Sequence, residues 1–329
     1  MINGQPWSPQ SEDAAGGSSS RGPHRLMEIH KCQRKWDLRY GQDYSGGKGR
    51  LLSIHGSKNA LVGTAVHTRA ADYHARQLPK WPAWVTEKTV DERVMDDVKG
   101  HPEAAHFLQL SKDMWDAVIS STDPTDMPLP YSVEREVYAP LGQIDPTCPP
   151  SLKDEVVTAR LDLIATKGTG ANRGQLVVWD YKSTGGYKNK DGSVQLPRWS
   201  SKDPRWSMHY QAALALCITR AMFDVPVAGF FIIRVSRTPP HPIARHMLDI
   251  PPGLLSKAGQ LATDAVIKEQ EAKERRARGL PILPTGSMTG VCGDFGGCEY
   301  LSLCRAKDRS TERAYLASDY FWQKPQQGS

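Results

Sequence analysis

The chain has 329 residues, of which 39% are apolar and 24% are charged, and its formal net charge is +6. That length can bury a sizeable core, and no apolar run approaches the roughly 18 residues that a membrane-spanning helix needs. The first 20 residues lack the apolar centre of a secretory signal, so we expect a cytoplasmic protein without membrane contact. The net charge permits a polyanionic partner but does not require one.

The N-terminal part of the chain predicts a tail and two helices. Residues 1–22 are rich in Ser, Gly and Pro and predict disorder. A helix should follow, because apolar side chains recur at steps of three and four, namely at Leu26, Ile29, Cys32, Trp36 and Tyr40. Residues 41–58 predict a glycine-rich loop, and residues 60–77 predict a second helix.

The rest of the chain alternates between strand and helix patterns. Two β-rich runs, 156–166 and 175–182, flank a loop with three glycines and predict a hairpin. The other predicted elements are a strand over 131–139, a helix over 204–223, a strand over 229–236 and a helix over 254–279. This order predicts an α/β fold with a mixed central β-sheet flanked by helices. We expect one domain over 23–308, with a helical insertion at about 78–130, a cysteine-bearing segment at 281–308, and a C-terminal helix and tail at 309–329.

The hairpin carries the residues that best suit metal chemistry. Asp162 stands on its first strand, and Asp180 and Lys182 share one face of the second. Two registers remain open, which place Asp162 opposite either Trp179 or Asp180. Opposed carboxylates repel each other, and a hard divalent cation would reverse that cost. A surface hairpin with an ordinary Asp–Lys pair is the alternative, but the apolar run before Asp180 favours a buried, functional pair.

The stretch "ARLDLIA…GQLVVWDYKST" resembles the core of the PD-(D/E)XK nucleases of the RecB type. Five residues fall at the positions of that motif, namely Ala159, Asp162, Asp180, Tyr181 and Lys182. The resemblance implies a restriction-endonuclease-like core and hydrolysis of DNA with Mg²⁺ or Mn²⁺. It further implies that Asp162, Asp180 and the carbonyl of Tyr181 bind the metal, while Lys182 assists the attacking water. Ser183 stands where the family often has threonine.

Two upstream positions extend this resemblance. Gly63 and His67 match the Gly-x-x-x-His motif of RecB-like nucleases, which implies that His67 is a further metal ligand. A polar histidine on a helix face is the alternative. Glu134 and Glu136 share a face of the preceding strand by alternation. The family often has a glutamate there, for which Glu136 is the candidate, and a solvated strand face is an equal alternative.

The helix after the hairpin carries a partial motif. Many relatives place Gln-x-x-x-Tyr there, close to DNA, whereas here Tyr210 and Gln211 are adjacent and match it only in part. Core packing is the alternative for Tyr210. The loop before this helix interleaves basic and aromatic residues, among them Lys188 and Arg205, a mixture that suits phosphate contacts and base stacking on a single strand. A solvated loop is the alternative there.

Four cysteines suggest a second metal centre. Cys292, Cys298 and Cys304 form C-x5-C-x5-C, whereas zinc sites usually show shorter steps. The segment from Cys32 to Trp36 resembles the Cys-Pro-Arg-Lys-Tyr of iron–sulfur RecB-like and CRISPR-associated nucleases. The resemblance implies a 4Fe–4S cluster held by Cys32 and the three late cysteines, which pins the C-terminal segment to the first helix. Zinc and unligated thiols remain alternatives.

The resemblance therefore implies a DNA exonuclease that acts in recombination, repair or processing. Its expected partner is DNA with single-stranded character at the ends, together with a helicase or recombination protein. The alternative is a nucleic-acid-binding or structural subunit of a helicase–nuclease or CRISPR adaptation complex, with weak or no cleavage. The complete Asp162, Asp180 and Lys182 set argues against that alternative.

Overall fold

The computed structural model describes most of the chain between residues 21 and 323. The described residues are 21–40, 50–53, 58–99, 101–123, 127–166, 174–197, 206–223, 226–248, 250–280, 282, 298, 300, 303–304, 310–311, 314 and 320–323. The helices are α1 (Pro23–Lys31), α2 (Gln33–Arg39), α3 (Lys58–Ala75), α4 (Val90–Val98), α5 (Ala104–Ser120), α6 (Leu141–Ile144), α7 (Trp206–Met222) and α8 (Pro252–Ala277). The strands are β1 (Arg50–Ser53), β2 (Leu129–Pro140), β3 (Val156–Thr166), β4 (Leu176–Thr184), β5 (Tyr187–Lys188), β6 (Val194–Gln195), β7 (Val227–Ser236), β8 (Ile243–Leu248) and β9 (Tyr320–Gln323).

A five-stranded mixed sheet organises the fold, in the order β2-β3-β4-β7-β8. The pair β4–β7 is parallel and the other neighbours are antiparallel. Two smaller pairs, β1–β9 and β5–β6, are separate from this sheet. The prediction of a mixed central sheet flanked by helices is therefore confirmed.

Each face of the sheet has its own hydrophobic core. Alternation along β4 sends Val178 to the core shared with α1, α7 and α8, and sends Val177 and Tyr181 to the core shared with α3 and α5. A strand buried on both faces reads as a continuous apolar run in the sequence, which explains the run before Asp180. By the same alternation, Asp180 and Lys182 belong to the α7 side of the sheet.

The single predicted helix over residues 26–40 is two helices, which corrects that prediction. Cys32 has extended backbone angles, φ −159° and ψ 112°, and separates α1 from α2. Its sulfur accepts a hydrogen bond from the backbone N–H of Lys35 at 3.5 Å and caps α2. The apolar stripe survives the break, because Ile29 and Trp36 are both buried.

Other boundaries differ from the sequence-based ones. Strand β1 lies within the predicted loop, β8 was not predicted, and the C-terminal tail contains β9. Arg21, placed in the predicted tail, is anchored by ion pairs to Glu155 and Glu269. Residues 1–20 and most of 281–308 lie outside the described residues. In the described part of the chain, no helix has both the length and the hydropathy that crossing a bilayer requires.

Candidate active site

The site forms where β3 and β4 part. The two strands pair only from Leu163 opposite Trp179 to Thr166 opposite Leu176, whereas β4 stays paired with β7 over its whole length. This register is the one of the two alternatives that sets Asp162 against Asp180. Since the ladder ends one residue short of Asp162, the carboxylates of both strands lie at an open fork rather than in a closed sheet.

Asp162 and His67 replace the missing backbone ladder at the fork. Asp162 Oδ2 accepts a hydrogen bond from the backbone N–H of Tyr181 at 2.9 Å. Its other oxygen lies 3.5 Å from His67 Nδ1, and His67 Nε2 lies 2.5 Å from the carbonyl oxygen of Tyr181. His67 reaches the fork from α3, on the opposite side of the sheet from Lys182. The fork therefore joins side chains from two layers of the protein.

Glu134, rather than Glu136, completes this group. Its backbone has a left-handed φ of +50°, and it lies between the pairs Val133–Leu163 and Arg135–Leu161, level with Asp162. Ligand atoms of His67, Glu134 and Asp162 all lie within 4.8 Å of one another. A left-handed conformation costs a non-glycine residue roughly 1–2 kcal/mol, which the surrounding strands must offset.

The sequence offered no signal for this choice of glutamate. Strict alternation puts Glu134 and Glu136 on one face, and only the distorted backbone at Glu134 separates them. Glu136 pairs instead with Arg160 in the ladder between β2 and β3. A Cβ at the upstream Gly63 would meet Ser183 Oγ at an ordinary contact distance of 3.4 Å.

The electrostatics of the fork favour a bound cation. Burial, and then the Asp162 carboxylate, raise the pKa of Glu134 to about 8. Burial also raises the pKa of Asp180, although the ammonium of Lys182 opposes this. Carboxylates held this close repel one another unless a positive charge lies between them. Carboxylate oxygen with one imidazole is a donor set that suits Mg²⁺ or Mn²⁺, so these residues fit such an ion.

Lys182 is held as a cation beside the carboxylates. Its ammonium donates a hydrogen bond to Asp180 Oδ1 at 2.7 Å. Burial alone would lower the pKa of Lys182, but the carboxylates of Asp180 and Asp162 outweigh burial and raise this pKa. The ammonium is therefore positioned as a proton donor and a positive charge, not as a base.

A cleft of about 730 Å³ opens over the fork. Its walls come from α1, α3 and the helical insertion, and they include His24, Trp84 and Lys88. Gln211 lines the cleft, with its side-chain nitrogen 3.3 Å from His24 Nδ1. Tyr210, in contrast, is 2% exposed and packs in the core on the α7 side.

The remaining candidate residues for DNA contact lie apart from this cleft or outside the described residues. Lys188 is exposed on the β5–β6 hairpin, a few residues beyond the end of β4. Arg205 lies outside the described residues. The structure therefore brings Asp162, Asp180, Lys182, His67 and Gln211 together on one cleft. The backbone of Tyr181 is held against His67 and Asp162.

One of the late candidate cysteines, Cys298, lies close to the N-terminal helices, because it packs against a small core that includes Leu38 of α2. Burial raises the pKa of the Cys298 thiol, and the thiols of Cys304 and Cys32 raise it further. Tyr300 and Leu303 pack against Leu38 of α2, which attaches this part of the C-terminal segment to the N-terminal helices. Cys292 lies outside the described residues.

Comparison with known proteins places the chain in a family. A crystal structure of a "Putative exonuclease" from Eubacterium rectale aligns with a TM-score of 0.45 and 12% identity, over 88% of this chain and 100% of that one. No curated protein matches the chain. The model of the PD-(D/E)XK nuclease superfamily matches residues 22–305, which span both the fork and the cleft. The chain belongs to the PD-(D/E)XK nuclease superfamily.

Proposed function

We propose that this nuclease is a RecB-like, metal-dependent deoxyribonuclease that degrades DNA from ends with single-stranded character. The observation that carries the proposal is the fork between β3 and β4, where Asp162, Glu134 and His67 converge beside the Asp180–Lys182 pair. Recombination, repair or DNA processing is the proposed setting, with a helicase or recombination protein as partner. We also propose the cytoplasm as its location.

The residues of the fork would hold one or more Mg²⁺ or Mn²⁺ ions. The proposed ligands are His67, Glu134, Asp162, Asp180 and the carbonyl oxygen of Tyr181. A bound divalent cation of this kind lowers the pKa of water and stabilises charge on phosphate oxygen. His67 and Asp162 also fix the backbone of Tyr181 through its carbonyl and its N–H, so the ligand atoms are oriented before the ion arrives.

Lys182 supplies positive charge where the phosphodiester reacts. Because its pKa is raised, its ammonium can donate a hydrogen bond to the attacking water or to a phosphate oxygen. Asp180 holds that ammonium in place. We propose that Gln211 in the cleft, and Lys188 and Arg205 beyond it, contact the DNA. Tyr210 is left out of this set, because its ring is buried in the core.

We also propose that Cys32, Cys292, Cys298 and Cys304 hold a 4Fe–4S cluster with a structural role. The small core that joins Leu38 to Tyr300, and against which Cys298 packs, supports this proposal. The break between α1 and α2 supports it as well, because it places the Cys32 sulfur at the start of α2. Thiolates are the usual ligands of such clusters, and zinc is the alternative.

The first experiment compares end-labelled linear DNA with circular DNA as substrates, in Mg²⁺ or Mn²⁺, using anaerobically purified wild type and Lys182→Ala. We expect cleavage that depends on the divalent ion and removes the linear substrate. The Lys182→Ala variant should be slower by about 100-fold or more, the usual loss on removing a preorganised electrostatic donor. The matched control is Lys112→Ala, which removes an exposed lysine of α5 outside the cleft lining and should leave the rate unchanged.

The outcomes separate the proposals. Rapid loss of circular DNA would contradict the exonuclease and indicate an endonuclease at the same site. Absence of cleavage of every substrate by the cluster-replete protein would contradict the nuclease activity and favour a binding or structural subunit.

A further inference from the structure

Two tryptophans occupy the segment that joins α3 to α4, at one side of the cleft. Trp84 forms part of the cleft wall together with Lys88. Trp81, three residues earlier, is 49% exposed. An indole is a large apolar surface, and exposed indoles are often used for binding. Neither residue belongs to the metal site.

Each indole is backed by a guanidinium group. The Cζ atom of Arg93 lies 4.8 Å from the ring centroid of Trp84, and that of Arg76 lies 5.2 Å from the ring centroid of Trp81. Both distances are within the range of a cation–π interaction. One side of each ring is thus covered by a planar cation. Trp81 keeps 49% of its surface exposed, whereas Trp84 is half-buried against the core on the α3 side and keeps the surface that lines the cleft.

One buried carboxylate holds both arginines. Asp72 of α3 is 5% exposed; its Oδ1 accepts from Arg93 Nη1 at 2.6 Å, and its Oδ2 accepts from Arg76 Nε at 2.7 Å. Arg76 also donates to the carbonyl oxygen of Lys88 at 3.2 Å, which fixes the segment that carries the two rings. The rings are therefore preorganised, and a ligand that stacks on them would not have to immobilise them.

We propose that Trp81 and Trp84 form a stacking site for unpaired nucleobases of the strand that enters the metal site. This inference rests on the proposed function and specifies its substrate. Inside a duplex the bases are already stacked on one another, so away from the duplex ends only an unpaired strand offers a free base face to an indole. Stacking on an aromatic side chain contributes roughly 1–3 kcal/mol per base and accepts any base. The site therefore selects single-stranded character without selecting sequence.

A purely structural role for the two Trp–Arg pairs is the competing explanation. In that case the rings would only hold the segment between α3 and α4 in place. Substitution of either tryptophan would then lower the stability of the protein and weaken the binding of all DNA substrates alike. At a stacking site, in contrast, replacing a tryptophan weakens binding only when the DNA carries the base that stacks on it.

The test is a binding measurement by fluorescence anisotropy, in Mg²⁺ and in a Lys182→Ala background that suppresses cleavage. The probes are a labelled single-stranded oligothymidylate, the same strand with one abasic site moved along it, and a blunt duplex. Trp84→Ala and Trp81→Ala should each weaken single-strand binding by about tenfold, which corresponds to 1.4 kcal/mol. Trp84→Phe should retain most of the affinity, whereas Trp84→Leu, which keeps bulk without a π face, should not. Tyr131→Ala removes another exposed aromatic residue and should leave the affinity for the single strand unchanged.

The abasic strands decide between the two roles. We expect one abasic position at which wild type and Trp84→Ala bind equally, because the base that stacks is missing. If the tryptophan variants lose affinity equally for every strand and for the duplex, or lose no affinity for any probe, the proposal is overturned. If the wild-type protein cleaves DNA but the tryptophan variants bind it normally, the stacking-site proposal is contradicted and the nuclease proposal is retained. If base-dependent binding is found but the wild-type protein cleaves no DNA, the proposed nuclease activity is contradicted and the stacking-site proposal is retained.

Discussion

At the residue scale, the charged Glu134 carboxylate lowers the stability of the metal-free protein and favours binding of a cation. Its carboxylate lies within 4.8 Å of donor atoms of Asp162 and His67, and its pKa of about 8 records how unfavourable its charge is there. An acid whose pKa is raised on folding contributes its full share to the free energy of unfolding below its ordinary pKa, which is 4.5 for this glutamate. That contribution is lost as pH rises through the folded value.

We therefore predict opposite effects of Glu134→Gln on stability and on metal binding. In metal-free protein the variant should melt at a higher temperature than wild type at pH 8, because one of the repelling charges is gone. Its advantage should shrink as the pH falls toward 4.5. Added Mn²⁺ should raise the melting temperature of wild type clearly and that of the variant much less, since a proposed ligand is missing. Thermal denaturation with EDTA or Mn²⁺ across this pH range measures all three effects.

Glu136→Gln is the matched control for this prediction. It makes the same chemical change two residues along β2, outside the group of ligand atoms. It should keep the full response to Mn²⁺. An equal loss of the Mn²⁺ response in both variants would show that Glu134 has no particular role in binding the ion.

At the scale of elements, the approach of α8 to α6 depends on one glycine. A Cβ at Gly259 would overlap the backbone carbonyl of Ile144, the last residue of α6. Thr263, one turn further along α8, donates a hydrogen bond to Asp145 Oδ2 at 2.6 Å. The two elements thus meet through backbone at one level and through a buried polar pair at the next. This contact supports the core on the α7 side of the sheet.

Gly259→Ala should therefore destabilise the protein, although alanine is the better helix former. The overlap involves backbone atoms that cannot rotate away, and such overpacking costs about 1–3 kcal/mol. Gly253→Ala is the control in the same helix, because nothing lies within 4 Å of a Cβ there. It should be neutral or stabilising by up to about 1 kcal/mol. Denaturant unfolding of both variants measures the difference, and similar stabilities would contradict the close contact.

At the scale of the whole molecule, the residues around Tyr300 and strand β9 both contact the N-terminal part of the chain. Tyr300 packs against Leu38 of α2, and β9 pairs with β1 from Arg50 to Ser53. A cross-link between residues so far apart in sequence removes much freedom from the unfolded chain. A cluster held by Cys32 and the late cysteines would be such a cross-link.

We predict that anaerobically purified protein contains iron and acid-labile sulfide, four of each per chain, and that Cys298→Ser loses both. Its melting temperature should fall by several degrees, because a few kcal/mol of unfolding free energy move the midpoint by about that much in a domain of this size. Cys217→Ser is the control, since Cys217 lies on α7 and its thiol donates to the carbonyl oxygen of Leu255 on α8. Stoichiometric zinc without iron, or an unchanged melting temperature, would contradict the structural cluster.

The mixed sheet, the carboxylate hairpin and the nuclease superfamily could be predicted from the sequence. These depend on local patterns, since alternation places Asp180 and Lys182 on one face, and a strand buried on both sides must be apolar. The participation of Glu134 is evident only from the fold, because it depends on the left-handed φ angle of this one residue in β2. The same is true of Asp72, which binds both Arg76 and Arg93 behind the two tryptophans, and of the point beside Asp162 where β3 leaves β4. These features arise from contacts between distant residues, whose geometry is fixed by packing and leaves no periodic trace in the sequence.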